Sequence, residues 1–161
     1  MAVELDELDL RIVDALLRDG RAPAAQIAEQ IGLSRPAVAD RIEKLERQGV
    51  IRGTTVVVEP RTIGREVTAF VAARGATLGP KAWAHFRELM TTNDELLEVH
   101  TVAGDDCYFI KVRTDSIASL NKLVLRLTAP PLSLTTRTTI VMQTHCEKVG
   151  GIILGEREEK R

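Results

Sequence analysis

Cysteine is scarce in this chain: Cys107 and Cys146 are the only two. That number excludes a disulfide scaffold, and neither cysteine has a second cysteine or a histidine at a zinc-motif spacing, so both read as reduced thiols. Aromatic residues are equally few, at 3%. Long apolar runs are missing as well. The longest stretch drawn from AVILMFWYC is five residues, Ala69 to Ala73, far short of the roughly 18 needed for a membrane-spanning helix. The amino terminus turns acidic at Glu4, Asp6 and Glu7 and lacks the basic start and apolar stretch of a secretory signal, so a cytoplasmic location is expected. There is also no excess of charge of one sign: 22 Lys and Arg stand against 23 Asp and Glu, for a net charge of −1. A non-specific phosphate binder shows a basic excess, so any nucleic-acid function has to come from a local pattern.

The 161 residues suffice for one large domain or two small ones. Helical periodicity dominates residues 6 to 53. Leu8, Ile12, Val13, Leu16 and Leu17 share a face and Asp19-Gly20 ends the first helix. A short second helix after Pro23 buries Ile27 and Ile31, and Gly32 allows a sharp turn. Ser34 then caps a third helix, Pro36 fits its first turn, and Val38, Ile42 and Leu45 form its inner stripe before Gly49 stops it. Thr54 to Val58 is β-rich and predicts a ribbon or wing. Beyond a Pro- and Gly-containing connector the pattern changes to strand 67–74, helix 80–91, strand 96–103, strand 107–113, helix 116–127 and strand 132–143. That is the β-α-β-β-α-β order of a ferredoxin-like α+β domain, with two helices on one face of a four-stranded antiparallel sheet. The expected division is 1–58 for the helical domain and ribbon, 59–66 for the linker, 67–146 for the α+β domain and 147–161 for a solvated tail.

Two short helices joined through Gly32-Leu33-Ser34 suggest a helix-turn-helix, whose second helix enters the DNA major groove. Between positions 34 and 53, Arg35, Arg41, Lys44, Arg47 and Arg52 outnumber Asp40, Glu43 and Glu46, five to three, a local +2. Pro36, Asp40, Glu43, Lys44 and Arg47 fall opposite the inner stripe and Arg41 lies on the flank. The arginines suit guanine edges and phosphates, and Asp40 suits the cytosine amino group. Charge alone is equally met by a solvated helix with Asp40–Lys44 and Glu43–Arg47 pairs. The ordered series Leu8-Asp9, Ile12, Leu16, Asp19-Gly20-Arg21, Ile27-Ala28, Gly32-Leu33-Ser34, Ala37-Val38, Arg41-Ile42, Leu45-Glu46 and Gly49-Val50-Ile51 resembles the leucine-responsive regulatory protein/asparagine-regulator (Lrp/AsnC, feast/famine) family. The resemblance covers nearly the whole chain. It implies a transcription regulator with an amino-terminal winged helix-turn-helix that binds double-stranded DNA, and a carboxyl-terminal domain that binds an effector, dimerises and often builds octamers. Ser34, Arg35, Pro36, Asp40, Arg41, Lys44, Arg47 and Arg52 are the DNA-binding candidates. Ala22 departs from the Ser or Thr common before the family's second helix, which bears on the cap there and not on the fold.

Ala103-Gly104-Asp105-Asp106-Cys107 lies between two predicted strands and reads first as a hairpin turn. It also resembles the family's glycine-x-x-aspartate effector segment, with Gly104 as the glycine and Cys107 where many relatives carry the aspartate. Thr101, Gly104, Asp105, Asp106, Cys107 and Tyr108 are therefore the effector-binding candidates, with an amino acid as the expected ligand and Asp106 as a partner for its ammonium. Trp83, Phe86 and Met90 on one helix, and Ile117, Leu120, Leu123, Val124 and Leu127 on the other, read as core. The sheet's second face is left for another subunit, with Val67, Ala69, Val71, Val99 and Ile110 as the expected contact residues, so a homodimer is expected. His85, His100 and His145 are scattered singly and assemble no metal site. No cofactor and no catalytic residue is implied. Two rivals remain: a haem-pathway decarboxylase-like enzyme with a degenerate DNA-binding domain, in which His85 or His100 does substrate chemistry, and an effectorless DNA-organising assembly protein.

Overall fold

The computed structural model describes residues 3–75 and 77–148. Contacts divide the chain into two units, the first running through Val57 and the second spanning Val58–His145.

In the first unit, helix α1 (Glu7–Arg18) opens with a capping box: the Asp9 N–H donates to Asp6 Oδ1 at 2.7 Å and the Asp6 N–H to Asp9 Oδ2 at 3.4 Å. Helix α2 (Ala24–Ile31) has Pro23, not Ala22, at its N-cap, and a proline has no side-chain oxygen to offer, so the helix has no side-chain cap. It is steadied instead by Arg11 of α1, whose Nη2 donates to the Gln30 carbonyl at 2.9 Å. Gly32, at φ 74°, turns the chain in the left-handed region that a Cβ disfavours. Helix α3 (Arg35–Arg47) is capped by Ser34, whose Oγ accepts from the Ala37 N–H at 3.3 Å. Ile12, Ile27, Ala28, Ile31, Val38 and Leu45 form the core between the three helices. The expected inner stripe is met at Val38 and Leu45, while Ile42 is half-buried against that core.

Thr54–Val58 is a correction. It forms no strand, and Val56, Val57 and Val58 are exposed. β-branched residues favour a pleated backbone but a strand exists only with a partner, and the described residues supply none here.

The second unit begins with a short 3₁₀ turn, Pro60–Ile63. It continues as β1 (Val67–Arg74), α4 (Pro80–Thr92), β2 (Leu96–Thr101), β3 (Tyr108–Thr114), α5 (Ile117–Thr128) and β4 (Thr135–Ile140). The sheet is antiparallel in the order β2-β3-β1-β4, which is the ferredoxin-like arrangement. β4 is shorter than the predicted 132–143, because Leu132 and Leu134 turn into the core ahead of it. Both helices lie on one face. Ala69, Val71, Ile110 and Val112 meet Phe86, Leu89, Leu120, Leu123 and Leu127 there. Phe86, fully buried, contributes about 1.5–3 kcal/mol by that burial.

The expected contact residues lie on the covered side of the sheet, facing the helices. Ala69, Val71 and Ile110 are fully buried on the helix side, and Val67 and Val99 pack against the same core. The open face carries Thr68, Phe70, Ala72, His100, Phe109, Lys111 and Arg113, paired as Phe70 with Lys111 and His100 with Phe109. A one-residue change of phase moves every side chain to the other face, and β1, apolar at five successive positions, gives the phase no marker. Phe70 and Phe109 remain 43% and 41% exposed on this face. Beside them Glu98 pairs with Lys111 and with His100, each at 3.2 Å. Those two contacts, His100 first, hold the Glu98 carboxyl below the usual carboxylate range.

Candidate nucleic-acid interface and effector pocket

The recognition helix α3 presents its DNA-binding candidates unevenly. Ser34 spends its hydroxyl on the cap, while Arg35, Pro36 and Asp40 are exposed along the first turns. Arg47 is exposed and paired with Glu43, as expected for positions four apart. Arg52, past the helix end, is exposed. Among the described residues Arg35 and Arg52 make no ion pair, which leaves their guanidinium groups open to phosphate or base edges.

Arg41 and Lys44 point elsewhere. Arg41 Nη1 lies 2.6 Å from Asp9 Oδ1 and 2.7 Å from Asp6 Oδ2, and Lys44 Nζ lies 3.7 Å from Asp9 Oδ2. Lys44 thus faces α1 and makes no pair with Asp40. The Asp6 carboxyl is held below its ordinary range, first by the Asp9 N–H and then by Arg41. The Arg41 guanidinium is in turn raised by its bonds to Asp6 and Asp9.

In the second unit, the hairpin between β2 and β3 closes with the Val102 N–H donating to the Cys107 carbonyl at 3.0 Å and the Cys107 N–H to the Ala73 carbonyl at 2.9 Å. Gly104 sits at φ 137°, where L side chains are strained. Asp105 is exposed, and the Asp106 carboxylate accepts from Arg137 Nη2 at 3.1 Å. Thr101 ends β2 opposite Tyr108. Of the six effector candidates, Cys107 and Tyr108 line an open pocket of about 430 Å³ together with Gly75, Thr77, Leu78 and Trp83.

Trp83 stacks on Tyr108 with ring centroids 6.4 Å apart, and Phe86 meets both rings edge-on at 5.8 and 5.4 Å. The Cys107 thiol donates to the Gly75 carbonyl at 3.7 Å. Gly75 runs so close to Leu134 that a Cβ would meet Leu134 Cδ2 at 3.0 Å. Among the described residues the wall is thus built of backbone, two aromatic rings, a leucine, a threonine and a thiol, with no charged side chain.

Sequence reasoning missed Gly75, Thr77, Leu78 and Trp83. Trp83 matches a core stripe, and only half of that reading holds, since the ring is partly buried and walls the pocket. The available signal was the glycine-bracketed segment between β1 and α4. His85 faces Glu88 on the surface of α4 and His100 lies on the open sheet face, so neither reaches this pocket. Among the described residues no three His, Cys, Asp or Glu side chains converge as a metal site would require.

A helix-turn-helix with exposed arginines, joined in one chain to an α+β unit holding a small-molecule-sized pocket, defines a ligand-responsive DNA-binding protein. Residues 5–52 match the winged helix-turn-helix DNA-binding model and residues 68–150 the Lrp/AsnC ligand binding domain. The HTH-type transcriptional regulator FL11 of Pyrococcus abyssi is 33% identical over 147 residues, 91% of this chain and 95% of that protein. The leucine-responsive regulatory protein of Escherichia coli is 31% identical over 144 residues, 87% of this chain and 86% of that one. Among solved structures, the leucine response regulatory protein of Mycobacterium tuberculosis is similar at a TM-score of 0.78 and 30% identity, over 89% of this chain and 97% of that one. A feast or famine regulatory protein from M. tuberculosis, complexed with L-methionine, is similar at 0.81 and 30%, over 92% and 99%.

The chain belongs to the Lrp/AsnC family of transcription regulators. It is a DNA-binding regulator whose second domain is a ligand-binding one. Among the described residues no helix is long and apolar enough to cross a membrane.

Proposed function

We propose that this regulator senses a free amino acid with a neutral, apolar or thioether side chain, and that it acts in the cytoplasm as a homodimer, by binding and not by catalysis. The observation that carries the ligand class is the pocket wall: Leu78, Trp83 and Tyr108 offer apolar and aromatic surface, and among the described residues no charged side chain lines it. Asp106 is compensated by Arg137, and Cys107 stands where many relatives place an aspartate, so little remains to favour a cationic side chain. The similar M. tuberculosis protein complexed with L-methionine supports the same class. Gly104 and Asp105 at the hairpin tip, with Thr101 behind it, are assigned to the edge of the site, where a second subunit would complete it. The division into 1–58, 59–66, 67–146 and 147–161 is kept as the working map; the tail from 149 onward lies outside the described residues.

Dimerisation is assigned to the open sheet face around Phe70 and Phe109, whose exposed rings another copy would cover. A ligand regulates such an assembly only by binding its alternative forms with different affinity.

Trp83 is the only tryptophan in the chain and walls the pocket, so its emission reports occupancy directly. Titration with each of the twenty amino acids should give a saturable change with methionine, leucine or a similar side chain and none with lysine or arginine. Absence of a saturable change with every amino acid up to about 10 mM, well beyond useful affinity, would overturn the amino-acid reading and favour an effectorless assembly protein.

A further inference from the structure

We infer that Asp9 of α1 is the anchor that sets the recognition helix, and that Arg41 and Lys44 serve DNA binding through it, as positioning residues and not as DNA contacts. Asp9 and Thr114 are the only buried polar side chains among the described residues, and Asp9 is 1% exposed. Both of its carboxylate oxygens are engaged. Oδ1 takes Arg41 at 2.6 Å, while Oδ2 accepts the Asp6 N–H at 3.4 Å and faces Lys44 at 3.7 Å.

Arg41 and Lys44 stand on successive turns of α3, so two turns of the recognition helix are fastened to the first turn of α1. The same Arg41 Nη1 reaches Asp6 Oδ2 at 2.7 Å. Asp6 in turn caps α1, so the pairing reinforces the cap that holds Asp9 in place. Two cations meet two carboxylates here, and the corner adds no net positive charge to the surface that faces phosphate.

Drawing Arg41 away to a phosphate would leave a buried carboxylate without its closest cation, a strongly unfavourable exchange. Arg35 and Arg52, which have no such commitment, and Arg47, whose partner Glu43 is itself exposed, are left as the cations that DNA meets.

The test uses the full chain and a DNA fragment selected by the wild-type protein from a random-sequence pool. Binding isotherms are measured at several salt concentrations for Arg35→Ala, Arg41→Ala, Arg41→Lys and the double variant Asp9→Leu with Arg41→Leu, and circular dichroism checks helix content. A phosphate contact carries a salt slope of about 0.9. Arg35→Ala should flatten the slope by roughly that amount per binding head.

Arg41→Ala should weaken binding about tenfold, in the range of coupled residues, with the slope unchanged. Arg41→Lys, which keeps a cation within reach of Asp9, should recover part of that loss. The double variant, which leaves no buried carboxylate without a partner and frees only the exposed Asp6, should bind within about threefold of wild type. If Arg41→Ala flattens the slope as Arg35→Ala does, and the double variant loses as much as Arg41→Ala, then Arg41 is a phosphate contact and the inference is wrong. It is equally wrong if Arg41→Ala changes neither affinity nor fold. Should Arg41→Ala fail to fold, the double variant decides: recovered helix content with a wild-type slope supports the anchor, and a flattened slope refutes it.

Discussion

Arg137 on β4 reaches across to Asp106 at the base of the β2–β3 hairpin, its Nη2 lying 3.1 Å from the carboxylate Oδ2. Asp106 is the less exposed partner, at 16% against 75% for Arg137. The acidic side chain that the hairpin pattern offers to a ligand's ammonium therefore has a partner in its own subunit, and the pocket beside it is walled by uncharged groups.

Asp106→Asn is accordingly expected to change amino-acid affinity by less than about threefold, since an exposed pair of this kind contributes little. Trp83→Ala and Tyr108→Ala remove one member of a stacked pair on the pocket wall and should each lower affinity about tenfold or more. Calorimetric titration with the best ligand found by Trp83 emission compares the three variants. Equal losses in all of them would return Asp106 to the site.

The open sheet face gives a second expectation. Phe109→Glu or Phe70→Glu places a charge where an apolar ring now stands 41% or 43% exposed. Each should weaken self-association about 30-fold or more, the size of a hot-spot loss, without melting the core, because the rings face away from Phe86 and its neighbours. Sedimentation velocity across a concentration series reads the shift toward monomer. An unchanged dimer in both variants would place the interface elsewhere.

A third expectation concerns pH. The folded Asp6 carboxyl titrates below its unfolded value of about 3.9, through the Asp9 N–H first and the Arg41 guanidinium second. A depressed carboxylate adds stability that is present above the unfolded value and fades as pH falls through the folded one. The α1 cap should thus persist at neutral pH and loosen only in acid. Carbon-detected NMR titration of Asp6 should show this depression, and Arg41→Ala should bring the value part of the way back, the capping N–H remaining. A titration near 3.9 in the wild-type chain would contradict the pairing.

Much of this architecture is written in periodicity. The stripe of Val38 and Leu45, the Ser34 cap and the alternation of β3 are local patterns, and so the helix-turn-helix and the ferredoxin-like order were legible. What was hidden depends on residues distant in sequence. Asp9 lies 32 positions before Arg41, and nothing in α3 itself announces that its flank is already paired. The phase of β1 is not legible because Ala69 to Ala73 is apolar on both faces, so the pattern alone does not tell the open face of the sheet from the covered one. At Thr54–Val58 the β propensity specifies no partner, so a β-rich stretch there is not yet a ribbon. The pocket escaped because Gly75, Thr77 and Leu78 form no motif and Trp83 repeats at core spacing.

On this reading an amino acid in the Trp83–Tyr108 pocket changes how the regulator holds DNA. DNA-binding isotherms at one salt concentration, with and without a ligand whose occupancy Trp83 emission has established, measure that change. Saturation should shift the apparent Kd about fivefold or more, the lower end of allosteric coupling, and Trp83→Ala at the same ligand concentration should reduce the shift while leaving ligand-free DNA affinity intact. Superimposable isotherms at demonstrated saturation would contradict this reading.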